Sequence, residues 1–169
     1  MKNSFFKALV LLVCCVLSAC GGGSSSSGSS ISFEVGVYVG TQTVTFSAPG
    51  LAPDTETFQF RMSVSEDTIT IIDPDFTSTA PISRSGSFMA SSGFLDFGRP
   101  DGVPCNIFFK LDYSGQVTGS TASGNVSGGA TCRGLPDINA SGTFSASLNS
   151  TAKASNDSIK TGISNYIAQ

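Results

Sequence analysis

Three stretches of this chain alternate apolar and polar residues with a period of two, and no other feature limits the fold as much. Phe58, Phe60, Met62 and Val64 interleave with Gln59, Arg61, Ser63 and Ser65, and Ile107, Phe109, Leu111 and Tyr113 with Asn106, Phe108, Lys110 and Asp112. Between Ile138 and Leu148 the even positions are Ile, Ala, Gly, Phe, Ala and Leu, and the odd ones are Asn, Ser and Thr. Successive side chains of a strand point to opposite faces, so each stretch has one face for a core and one for water, as antiparallel sheets do.

The pattern predicts further strands at 33–46, 68–72, 86–91, 93–97, 116–122 and 125–132. In the first, apolar parity passes from odd residues (Phe33, Val35, Val37, Val39) to even ones (Val44, Phe46) around Gly40, which calls for a bulge or bend. Turn residues at Ala48-Pro49-Gly50, Asp73-Pro74-Asp75, Arg99-Pro100-Asp101-Gly102, Tyr113-Ser114-Gly115 and Ser123-Gly124-Asn125 separate the segments. The expected fold over 31–148 is all-β, an antiparallel meander of about eight strands, with a β-barrel favoured over a β-sandwich as the way to hide the apolar face and the edges. Gly119, Ala122, Gly128 and Ala130 would make one wall small, while Phe58, Phe60, Phe109 and Phe144 arrive from other strands. Small opposite large predicts a filled interior. In the tail, 149–169, Ile159, Ile163, Tyr166 and Ile167 fall at helical spacing behind Asn156 or Asp157 as N-cap, with Gly162 as a weakness.

Gly36-Val37-Tyr38 resembles the Gly-x-Trp opening of lipocalin-like barrels, with tyrosine in place of tryptophan. Three residues carry that resemblance, and it brings no functional residue with it.

The N-terminus reads as an export signal: Lys2 and Lys7 form a positive region, residues 8–17 an apolar one, and Ser18-Ala19 the small pair before a cut. The uncharged run ends well short of the roughly 20 residues that cross a bilayer core. Leu17-Ser18-Ala19-Cys20 resembles the lipobox of bacterial lipoproteins, and the resemblance covers the leader only. It implies that residues 1–19 are removed as a signal peptide, that diacylglycerol is attached to the Cys20 thiol, and that Cys20 becomes the first mature residue. Cys14 and Cys15 lack the small pair ahead of them. In Gram-negative lipoproteins an aspartate after the cysteine favours inner-membrane retention; Gly21 stands there, so the outer membrane is expected. In a Gram-positive cell the address would be the outer face of the plasma membrane.

Residues 20–30 read as a lipid-anchored Gly/Ser tether, since Gly21–Ser30 has no side chain able to bury apolar area. The root-mean-square reach of ten such residues is about 17 Å. Loss of Lys2 and Lys7 with the leader takes Lys plus Arg from 9 to 7 against 12 acids, a net charge of −5. An acidic chain without a basic patch is a poor partner for phosphates, which disfavours nucleic acid. Charged residues make up 12% of the chain and Ser plus Thr about a quarter, so solubility falls to hydroxyls.

Cys105 and Cys132 remain in an oxidising compartment, where paired thiols bridge. Turns at Ser114-Gly115 and Gly124-Asn125 would put them at opposite ends of three strands, too far apart. One long hairpin would put them face to face at its base, and a loop at Cys105 could also reach over.

Catalytic groups are scarce. The chain has no histidine, which removes Ser-His and Cys-His pairs and the common zinc sites. A Ser-Lys pair would draw on Lys110, Lys153 or Lys160; Asp73 with Asp75, or Glu66 with Asp67, are the available carboxylate pairs, and such acids beside proline or glycine form turns. Asp73-Pro74-Asp75 lacks the spacing of an EF-hand calcium loop. No enzyme, metal or cofactor is expected. Two classes stay open: a pocketless structural or interaction lipoprotein contacting an envelope protein or glycan through residues 98–104 and 73–83, and a binding module carrying a small apolar ligand or a glycan. A lysozyme-inhibitor-like role ranks below both.

Overall fold

The computed structural model describes residues 31–100, 103–149 and 159–167. The leader, Cys20, the tether, Asp101, Gly102, Lys153, Asn156 and Asp157 lie outside the described residues. Among those described, the strands are β1 (Gly36–Ser47), β2 (Asp54–Val64), β3 (Thr68–Ile72), β4 (Thr77–Pro81), β5 (Ser87–Ser91), β6 (Leu95–Asp96), β7 (Ile107–Thr118), β8 (Thr121–Cys132) and β9 (Ile138–Leu148), followed by the helix α1 (Ile159–Ile167).

All strands pair antiparallel in one sheet, in the order β4-β3-β2-β1-β9-β8-β7-β5, with β6 also on β7. β5 and β6 together form one stave, so eight staves surround the core. First and last long strands meet, β1 pairing β9 from Tyr38↔Leu148 to Ser47↔Asn139. The ring is nearly closed between β4 and β5, where one bridge joins Ile82 to Phe88 and the Ser78 hydroxyl donates to the Ser91 carbonyl. Pro81 stands beside that seam without an N–H to offer, as proline does at a strand edge.

The alternation does what period two requires. Phe58, Phe60, Met62 and Val64 are buried, as are Ile107, Phe109, Leu111 and Tyr113. Outward threonines pair across strands: Thr43 with Thr57 at 3.1 Å, Thr45 with Thr55 at 2.8 Å and Thr70 with Thr79 at 3.0 Å. At the end where β1 begins, Phe33 bridges to Gly119 and the Tyr38 hydroxyl reaches the Glu34 and Gly119 carbonyl oxygens at 2.7 and 2.9 Å. At the other end α1 buries Ile159, Ile163 and Tyr166, the Tyr166 ring lying 6.0 Å from that of Phe46. Gly162 costs helix propensity but is needed there, because a Cβ would stand 2.6 Å from the Phe58 ring.

Four expectations need correction. No register shift occurs in β1: pairing with β2 is continuous from Gly36↔Val64 to Phe46↔Asp54, and Tyr38, Gln42, Val44 and Phe46 are the buried set. Val37 and Val39 are left half-buried on the outside. The turns read at Tyr113-Ser114-Gly115 and Ser123-Gly124-Asn125 are absent; β7 and β8 form one long hairpin pairing from Ile107↔Cys132 to Thr118↔Thr121. β4 lies inside the span 73–83 read as loop, its Ser78 facing inward and Ala80 as its one buried apolar residue. The strand expected at 93–97 shrinks to β6.

Candidate functional site

The long hairpin resolves the cysteine alternatives. Cys132 ends β8 opposite Ile107, Cys105 lies two residues before β7, and a disulfide joins them with Cα atoms 5.5 Å apart. The bridge ties the hairpin base to the residues just ahead of it, among them Arg99, whose Nε donates to the Val103 carbonyl at 2.9 Å, and the buried Val103.

Rings fill the barrel. Phe60 and Phe144 stack at 4.6 Å, and Tyr113 lies 5.9 Å from Phe60, 6.3 Å from Phe144 and 6.5 Å from Phe76. Phe88 adds a ring 6.0 Å from Phe144. The small wall is partly where composition placed it, with Ala122 and Ala130 buried, but the residues seating Phe144 are Gly115 and Gly124, which face each other across the hairpin. A Cβ on either would come within 2.7 Å of the Phe144 ring.

One polar cluster sits among these rings. The Tyr113 hydroxyl donates to Gln42 Oε1 at 3.3 Å, and both residues are buried. Burial pushes the phenol well above its ordinary pKa, and the nearby Asp73 charge adds to the effect. Gln42 escaped sequence reasoning because it is a polar residue among inward apolar ones, and a pattern of apolar side chains passes over it. Its place between two threonines at an even position was the available signal.

Asp73 is a buried turn former: its Oδ1 accepts from the Asp75 N–H at 3.0 Å, while Asp73 and Phe76 exchange backbone bonds. Burial pushes its carboxyl up to about 6, opposed by the Asp75 N–H and assisted by the Asp75 charge. A carboxyl whose folded pKa exceeds its unfolded one favours folding while protonated, and that advantage is lost as pH rises from about 4 to about 6. Asp73→Asn keeps the oxygen that caps the turn. It is expected to raise the thermal midpoint at pH 7.5 by several degrees and to flatten stability between pH 4 and 6; an unchanged pH slope in calorimetry would count against the burial argument.

The other carboxylate pair is also turn chemistry, since Ser65 Oγ donates to Asp67 Oδ1 at 3.1 Å and accepts from the Thr68 N–H at 3.0 Å. Lys110 points outward, paired with Asp112 Oδ2 at 2.9 Å, and Lys160 Nζ lies 5.4 Å from the Phe97 ring. Among the described residues no group of three or more His, Cys, Asp or Glu side chains could hold a metal ion.

The outer surface is uneven. Phe94, Met89 and Phe108 are exposed at 84%, 79% and 47%, and all belong to the β5–β6–β7 side. Lys110 Nζ lies 6.0 Å from the Phe94 ring. Hydrogen bonds from Ser91 and Lys110 hold the Asp112 carboxyl below its usual range, so this lysine carries a tied counter-charge. No protein-family model, curated protein or solved structure matches the chain.

Proposed function

We propose that the chain is a lipid-anchored cell-envelope lipoprotein that works without catalysis, as a structural or interaction module contacting an envelope protein or glycan. The packed interior supports this reading most. Phe60, Phe88, Tyr113 and Phe144 occupy the space that a carrier would keep for cargo, which leaves contact with a partner to the outer surface. The sequence Leu17-Ser18-Ala19-Cys20 supports the anchor and Gly21 the outer membrane. With two or three acyl chains, each buried methylene contributing about 0.8 kcal/mol, such an anchor holds firmly.

Cys20→Ala is expected to abolish labelling by a radioactive acyl donor and to move the protein from the membrane pellet to the soluble fraction. Undiminished labelling of that variant would remove Cys20 as the lipidation site. Native mass spectrometry of the mature protein from its own envelope is expected to show the mass of the lipidated chain alone. A retained small apolar ligand would replace the pocketless reading with a carrier.

A further inference from the structure

The exposed aromatic of the β5–β6 stave is placed there by a β-bulge. Ser91 pairs Asp112 and Leu95 pairs Phe109, so Ser92, Gly93 and Phe94 stand opposite only Lys110 and Leu111. Phe88 and Ala90 face inward; without the extra residue their parity would carry Phe94 into the barrel. The bulge is well held: Ser92 N donates to the Leu111 carbonyl at 2.8 Å, Ser92 Oγ accepts from the Leu111 N–H at 2.9 Å, and Gly93 takes a φ of 68°. Phe94 thereby joins Met89 and Phe108 in a stripe along β5 and β7. A shallow apolar groove of about 430 Å³ between Pro81, Ile82, Phe88 and Met89 extends the stripe across the seam.

The side formed by β2, β1, β9 and β8 is more polar: its outward apolar residues are the half-buried Val37 and Val39 and, at its margins, the exposed Val35 and Leu51. Three rows cross β2, β1, β9 and β8 on the outside: Gln59-Thr41-Ser145-Ser123, Thr57-Thr43-Thr143-Asn125 and Thr55-Thr45-Ser141-Ser127. Every one is a hydroxyl or an amide. The chain enters the barrel on the apolar side, because Ser32 N donates to the Arg84 carbonyl in the turn between β4 and β5. Ten glycines and serines separate Cys20 from Ile31, which limits that entry point to about 40 Å from Cys20 at full extension.

We propose that the Met89–Phe94–Phe108 stripe rests on the surface of the bilayer that holds the Cys20 lipid, turning the hydroxyl face of β2, β1, β9 and β8 toward the aqueous phase. The proposal rests on the lipoprotein reading. A tether this short holds the stripe near the membrane at an effective concentration in the millimolar range, so a weak interfacial affinity is enough. Three side chains also fall well short of the roughly 800 Å² per partner that a stable protein interface buries. Lys110, lying against Phe94, keeps its stem with the rings while its ammonium, paired with Asp112 at 2.9 Å, forms a polar point at headgroup level.

The chain contains no tryptophan, so a single one reports its own surroundings. The lipidated full chain, as Phe94→Trp or as Thr143→Trp, is placed in phosphatidylethanolamine–phosphatidylglycerol vesicles containing brominated phospholipid. Phe94→Trp is expected to be quenched at least threefold more than Thr143→Trp and to emit further to the blue. Met89→Trp serves as the reporter should Phe94→Trp fail to fold. Vesicle flotation reads the anchor separately. A chain that floats but is quenched equally at both positions overturns the orientation alone and leaves the stripe to a protein partner, whereas a chain that does not float overturns the anchor and the orientation with it.

Discussion

Phe144→Ala is expected to destabilise the barrel by about 3–5 kcal/mol, read as a lower urea midpoint at an unchanged slope. Phe144 is the ring on which the interior converges, in contact range of Phe60, Phe88 and Tyr113, which come from three other strands. Its removal opens a cavity that the surrounding wall cannot collapse to fill, because that wall is backbone paired in register on both sides of β8 and β9. The seat of the ring predicts a loss from the opposite cause, too little room instead of too much. A Cβ at Gly115 would stand 2.7 Å from Phe144 Cζ, 3.1 Å from Phe88 Cζ and 2.6 Å from the Ser123 carbonyl oxygen. Gly115→Ala is therefore expected to cost about 1–3 kcal/mol by overpacking. Combined with Phe144→Leu, part of that cost should disappear, giving a coupling of at least 0.5 kcal/mol in a double-mutant cycle. Strict additivity would mean that ring and glycine do not share one packing site.

The same two glycines explain where sequence reading went astray. Gly115 follows Ser114 and Gly124 precedes Asn125, and both dipeptides carry turn composition. Composition cannot reveal that they oppose each other in the middle of a hairpin to admit a ring from β9; that depends on the register of three strands. Strands β2 and β9 and the first half of β7 were legible because each alternates apolar with polar residues at every second position, with large apolar ones in β2 and β7 and alanine and glycine between Ile138 and Phe144 in β9. β4 was not, since Thr-Ser-Thr-Ala-Pro holds a single buried apolar side chain and takes its place by pairing with β3. The outward turn of Phe94 was equally hidden. A bulge is a mismatch in count between two strands, and only the partner shows it. Alternation thus conveys which face of a strand is wet, whereas the exceptions that give this surface its apolar side arise from pairing.

Removing the Cys105–Cys132 bridge is expected to cost about 3–4 kcal/mol in the chain-entropy account, from the sequence separation of 27. The closed loop contains the whole β7–β8 hairpin, which pairs from end to end without help. Little of the stabilisation therefore needs to come from ordering that hairpin in the native state. The bridge acts on the unfolded chain by holding together two strands that must later join β5 and β9, which lie far from each other in sequence. In the native state its local effect falls on the residues next to Cys105, where Phe97 N donates to the Ile107 carbonyl at 3.0 Å and Val103 N to the Pro100 carbonyl at 3.1 Å. Alanine is the better replacement at Cys132, because that position is buried and a serine hydroxyl would need a partner. Cys105→Ala/Cys132→Ala should keep the far-ultraviolet spectrum and lower the urea midpoint, and dithiothreitol should bring the unaltered protein to the same midpoint. A midpoint indifferent to dithiothreitol, with free-thiol titration confirming reduction, would show that the hairpin gains nothing from its tie.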